Sequence, residues 1–96
     1  LRSGQRRPEV EVDLHRLDRE AARRELHATL VAAAESGLRC VCVIHGGGRH
    51  SEGGRPVLKS LLPEWLAEPP SGPLVLAFAP AAPADGASGA TYVWLR

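Results

Sequence analysis

The stretch Cys40-Val41-Cys42-Val43-Ile44 constrains this chain more than any other. Its apolar residues run without interruption and are rich in β-branched side chains, so neither face can meet water and the segment predicts an interior strand. Such a strand needs partners, and the flanking sequence supplies them. From Glu9 to His15 the apolar Val10, Val12 and Leu14 alternate with Glu11, Asp13 and His15, the period-two pattern of a half-buried strand. Between the two strands Asp18 offers an N-cap and Glu20 a negative charge in the first turn. Ala22, Leu26, Leu30 and Ala33 then recur at helical spacing until Gly37 ends the run as a C′ residue. That is a helix of about five turns.

Beyond Ile44 the pattern repeats with different punctuation. Residues 45 to 54 hold five of the ten glycines and read as a loop. Pro56 is suited to the first position of a second helix, in which Leu58, Leu61, Leu62, Trp65 and Leu66 share a face and Pro63 is carried at some cost or with a kink, ending by Ala67. Pro69 to Pro73 form a turn. Leu74 to Ala79 predict a third strand and Thr91 to Leu95 a fourth, joined by an Ala/Pro/Gly loop. The order β-α-β-α-β-β implies a two-layer α/β sandwich: a four-stranded mixed sheet, its first three strands parallel and the last antiparallel, with both helices on one face. Trp65, Phe78, Tyr92 and Trp94 fall on apolar periodicities and are assigned to the core, with Tyr92 or Trp94 the candidates for the open face.

With 96 residues the chain is one domain, read as 9–96, preceded by a tail over 1–8 that looks cut from a longer protein. Cys40 and Cys42 stand at i and i+2 on one strand face, the wrong geometry for a relaxed disulfide, and are expected as reduced core thiols. A reducing, cytoplasmic setting fits them, and no apolar run is long enough for a signal peptide or a membrane span. The net charge of +1 excludes a polybasic coat for nucleic acid. It leaves room for a local phosphate site, because the segment from His45 to Arg55 carries Arg49, Arg55, two histidines and only Glu52.

Ligands of parallel sheets gather at the carboxyl ends of strands, and there His15 ends the first strand and His45 the second. If the strands are neighbours, two imidazoles stand side by side, with Asp13 one pleat below His15 to hold its tautomer. The structural alternative is a strand cap beside a solvated edge charge. Gly46, Gly47 and Gly48 would let the backbone approach a phosphate, with the second helix pointing its positive end there and Arg49, His50, Ser51 and Arg55 around it. The Lys-Ser/Thr ending of a nucleotide-hydrolysing loop is missing. No His-x-x-x-His or Cys-x-x-Cys spacing marks a metal centre, and His27, in mid-helix, is expected at the surface or boundary.

Val12-Asp13-Leu14-His15, then His45-Gly46-Gly47-Gly48-Arg49-His50-Ser51, then the segment from Leu76 through Asp85 to Val93, together resemble the small MutS-related (Smr) domain, above all its bacterial stand-alone members. The resemblance covers nearly everything after residue 8. Against the family patterns L-D-L-H-G and H-G-x-G-x-G, Val12 replaces the leading leucine, Arg16 the glycine and His50 the last glycine. It implies a sandwich similar to the C-terminal domain of bacterial translation initiation factor three, and an endonuclease that nicks DNA, with RNA cleavage in some relatives. Asp13, His15 and His45 would then be the catalytic group, and Arg16, Gly46, Gly47, Gly48, Arg49, His50, Ser51 and Arg55 the phosphate-binding set. On RNA the 2′-OH can serve as nucleophile without metal; on DNA water must attack, and Mg²⁺ or Mn²⁺ becomes the expected cofactor. The competing class is a DNA- or RNA-binding module without catalysis, in which Arg16 and the tail residues Arg2, Arg6 and Arg7 grip the backbone. An adaptor working through the open sheet face has only Tyr92 or Trp94 in its favour.

Overall fold

A computed structural model describes residues 8–46, 57–81 and 89–96. Strand β1 spans Val10–Asp13, helix α1 Arg19–Glu35, β2 Cys40–Ile44, α2 Val57–Ala67, β3 Val75–Pro80 and β4 Ala90–Leu95, with a 3-10 turn at Gly72–Leu74 where the sequence predicted an irregular one. The sheet order is β1-β2-β4-β3. β1 runs parallel to β2, and β4 is antiparallel to both β2 and β3, so the first three strands point one way, as expected. The chain inserts β4 between the second and third strands, a placement that periodicity does not encode.

Helix α1 begins and ends by the chemistry its sequence announces. The Asp18 carboxylate accepts from the Ala21 N–H at 2.8 Å, satisfying one of the free donors of the first turn. At the other end Gly37 takes φ +78°, a left-handed conformation that a side chain would strain. Its N–H reaches Ala34 O and that of Leu38 reaches Ala33 O at 2.9 Å, so carbonyls that would be left over at the helix end are paired. Helix α2 runs through Pro63, which is exposed.

Both helices cover the same sheet face. Ala22, Leu26, Leu30 and Ala33 of α1 and Leu58, Leu62, Trp65 and Leu66 of α2 pack with Val12, Leu14, Val41, Val43, Val93 and Leu95. Deleting the side chain of Leu26 or Leu30, each fully buried, costs about 2–5 kcal/mol by lost transfer energy and cavity formation. The opposite face carries a smaller cluster of Cys42, Ala81 and Ala90 with Ile44 and Tyr92 against it. Cys40 and Cys42 are buried and joined in no disulfide, as the spacing predicted. Their cross-strand partners are Trp94 and Tyr92, whose rings meet edge to face at 5.7 Å. Glu9 adds a tie that periodicity could not show: its carboxylate accepts from the N–H groups of Arg39 and Cys40, pinning the start of β2 to β1.

Phe78 corrects one expectation. It is 40% exposed and belongs to neither core cluster. The reason is position: β3 is the outer strand, the helical layer lies chiefly over β1 and β2, and a register shift between Val75 and Ala77 leaves Leu76 exposed as well. Among the described residues no helix is long and apolar enough to cross a membrane.

Candidate active site

The parallel pairing sets Asp13 beside Ile44 at the carboxyl ends of β1 and β2. Carried on, it sets His45 beside buried Leu14 and Gly46 beside His15, so the two imidazoles do not stand side by side as expected but turn to opposite faces of the sheet, His45 inward and His15 outward. The Leu14 N–H still bonds Ile44 O at 2.7 Å, which carries the pairing one residue past β1. Gly46 then closes the approach. It has φ +84°, and a Cβ built on it would lie 3.3 Å from the His15 Cβ, so both the backbone conformation and the space favour glycine.

Asp13 and His15 form one unit. The Asp13 carboxylate oxygen accepts from the His15 backbone N–H at 3.1 Å and also from Nδ1 of the His15 ring. With Nδ1 donating, the neutral ring presents a lone pair on Nε2, the state a general base requires. The pair is open to solvent, with side chains 42% exposed for His15 and 52% for Asp13. The hydrogen bond from the His15 ring holds the Asp13 carboxyl below its usual range; slight burial opposes this, and the backbone bond and the positive charges of His15 and Arg16 reinforce it. Arg16 is exposed beside the pair.

His45 is built differently. It is buried at 6% exposure, and both ring nitrogens are engaged: Nδ1 with Gly46 O at 2.9 Å and Nε2 with the Thr91 hydroxyl at 3.0 Å. A carbonyl only accepts, so Nδ1 carries the proton, and in the neutral ring Nε2 accepts from Thr91. The backbone N–H groups of His45 and Gly46 both donate to Gly89 O, binding the end of β2 to the approach of β4. Thr91 was not singled out by sequence; its signal is a hydroxyl on the inward parity of an otherwise apolar strand. His27 takes the boundary place expected of it, with Nδ1 3.1 Å from the Ser71 hydroxyl. Gly47, Gly48, Arg49, His50, Ser51 and Arg55 lie outside the described residues.

The exposed carboxylate–imidazole pair suits proton transfer, and the enclosed imidazole suits holding the two strand ends together. Among the described residues no three His, Cys, Asp or Glu side chains converge as a metal-holding group. Asp13 would be the carboxylate nearest to hand for a divalent ion, and it is already bonded to His15.

The model of the Smr domain family matches residues 12–96. This chain belongs to the Smr domain family. Among the relatives of this Smr domain, the ribosome rescue factor SmrB of Photobacterium profundum is 38% identical over 93 residues, covering 97% of this chain and 48% of that protein. SmrB of Yersinia enterocolitica is 39% identical over the same length, with the same shares. The Smr domain thus spans about half the length of the curated relatives it matches. Its fold is shared with the stand-alone small MutS-related protein YdaL from Escherichia coli, at TM-score 0.79 and 36% identity over 100% of this chain and 71% of that one. The Smr domain of Thermus thermophilus MutS2 superimposes at TM-score 0.73 with 32% identity, covering 90% and 96%. The fold expectation and the family resemblance both hold.

Proposed function

We propose that this Smr domain is an endonuclease that cuts phosphodiester bonds in the cytoplasm, with RNA as the substrate its described site suits best and DNA nicking as the second activity. The observation that carries the reading is the exposed Asp13–His15 pair, with Nδ1 tied to the carboxylate and Nε2 turned over to a ligand. On RNA, Nε2 takes the proton of the 2′-OH; the 2′-oxygen bonds to phosphorus, the bond to the 5′-oxygen breaks, and that oxygen leaves with a proton from water. Asp13 holds the imidazolium that results. Arg16 and the backbone at Gly46 lie beside the same edge to meet the phosphate, with Gly47, Gly48, Arg49, His50, Ser51 and Arg55 following in the chain as further contacts.

His45, placed in the catalytic group by the resemblance, for the complementary proton transfer or for binding phosphate, is better suited to hold the strand end than to meet substrate, since both ring nitrogens are engaged inside the fold. RNA gains over DNA for a chemical reason. Its internal nucleophile needs only a base, whereas attack by water on DNA calls for a stronger activator such as Mg²⁺ or Mn²⁺. The names of the SmrB relatives, ribosome rescue factors, point the same way. A second reading, binding without cutting, draws on Arg16, Arg19, Arg23 and Arg24, all exposed on or beside α1.

The test incubates the purified chain with single-stranded RNA and with supercoiled plasmid, each in Mg²⁺, Mn²⁺ or EDTA, beside His15→Ala. Cleavage of RNA in EDTA, ending in cyclic phosphate and abolished by His15→Ala, is expected. Binding with every substrate intact would sink the nuclease reading in favour of the binding module, and cleavage unchanged in His15→Ala would remove His15 from the mechanism.

A further inference from the structure

On the helical layer, away from the sheet edge, lies a cleft of about 260 Å³ between α1 and the turn that follows α2. Trp65 and Pro70 form its apolar walls; Arg23, Arg24 and Glu20 stand at its α1 side, and His27 and Ser71 line it with their polar groups. Ser71 is buried and its hydroxyl engages His27 Nδ1, which fixes the imidazole and leaves Nε2 as the ring nitrogen for a ligand. Arg23 and Arg24 are exposed, and with the Glu20 carboxylate on the same side of the cleft they leave a net positive charge there. An apolar wall made by Pro70 and the small part of Trp65 left exposed, a fixed hydrogen-bonding ring and a net positive rim are what an aromatic group joined to an anion requires.

The position of the cleft selects the ligand. Arg19 and Arg23 are four residues apart on α1, and Arg16 precedes the helix beside Asp13, so exposed cations lead from the strand-end pair along the helix to the cleft. A strand whose phosphates followed them would bring an unpaired base to Trp65. We propose that this cleft is a nucleotide subsite, holding one unstacked base of single-stranded nucleic acid against Trp65 and Pro70, its edge read by His27 and its phosphates held by Arg23 and Arg24. The subsite rests on the nucleic-acid reading above and adds a preference for unpaired strands, because a duplex keeps its bases stacked.

Trp65 itself belongs to the core, so the perturbations are placed around it. In a Trp94→Phe chain Trp65 is the sole tryptophan, and a short oligoadenylate is expected to quench its emission saturably. Ala28→Leu, which fills the cleft from an exposed helical position with no change of charge, should weaken that binding about fivefold or more and leave the salt dependence alone. Arg23→Ala with Arg24→Ala should weaken it and lower the log–log salt slope by about 1.4, the share of two phosphate contacts on a single strand. Oligodeoxyadenylate and a duplex run in parallel: equal binding of both single strands identifies base and phosphate as the determinants, and preference for RNA adds the sugar. Quenching that is absent, or affinities untouched by Ala28→Leu, would overturn the subsite even in a chain that cleaves. Quenching by an acidic aromatic peptide in preference to either oligonucleotide would overturn it in favour of a protein ligand. A chain that binds through the cleft and cuts nothing would overturn the nuclease reading alone.

Discussion

His15 and His45 end adjacent parallel strands, one residue pattern apart, and do opposite things. His15 stands in solvent on a carboxylate; His45 is enclosed between the Gly46 carbonyl and the Thr91 hydroxyl. An imidazole with one nitrogen tied and the other open is prepared for proton transfer. One with both nitrogens tied acts as a bracket, here joining the end of β2 to β4. The register explains the contrast: His45 pairs with Leu14 and turns into the core, whereas His15 is opposite Gly46 and turns out to solvent, and substitutions test each half of it separately.

The largest effect should come from His15→Ala. Loss of a general base lowers cleavage by about 10²–10⁴-fold, while loss of an exposed bond to Asp13 costs about 1 kcal/mol of stability or less. Rate assays with thermal melts on the same samples separate the two. Asp13→Asn should follow, losing a charge-assisted bond of about 1.5–3 kcal/mol, or roughly 10- to 100-fold in rate. A variant as active as the wild type would reduce Asp13 to a strand-edge charge.

His45→Ala should act in the other column. It strands the Gly46 carbonyl and the Thr91 hydroxyl, at about 1–3 kcal/mol of stability, which a domain of this size shows as a melting temperature lower by about 4–8 °C per kcal/mol. Thr91→Val should reproduce a part of it. Were His45→Ala instead to melt like the wild type and lose all cleavage, the bracket would be wrong and His45 would return to the catalytic pair. Gly46→Ala tests the join between the two regions: the left-handed backbone costs about 1–2 kcal/mol, and the new methyl must displace His15, so activity should fall further than the melt accounts for.

The smallest effect concerns acid. The folded Asp13 titrates below its ordinary 3.8, so its contribution to stability is fully present above that value and is lost as pH falls through the lower folded one. Urea melts of wild type and Asp13→Asn should converge below pH 3.8, and a gap that persisted or widened there would contradict the assignment.

Much of this was legible in one dimension because it is local. Asp18 and Gly37 act within a turn of the helix they bound, and the alternation from Val10 to Leu14 records which side of a strand meets the core. Cys40 to Ile44 could be recognised as interior since four of its five residues had to be buried. Phe78 misled because an apolar residue in a strand looks the same at a sheet's centre and at its edge; only the order β1-β2-β4-β3 separates them. Asp13 and His15 were readable as a pair, being two residues apart. The partner of His45 was not, because Thr91 lies 46 positions further along the chain.

The sequence by itself determined the elements, their polarity and the two histidines at the strand ends, since periodicity, caps and β-branching act over a few residues. Tertiary structure alone decided that β4 enters between β2 and β3, that His45 is enclosed while His15 is open, that Gly46 lies against His15, and that α1 and the Pro70–Ser71 turn leave a cleft. These follow from pairing the backbone and polar groups of distant segments once they are withdrawn from water, and no local window contains both partners of such a bond.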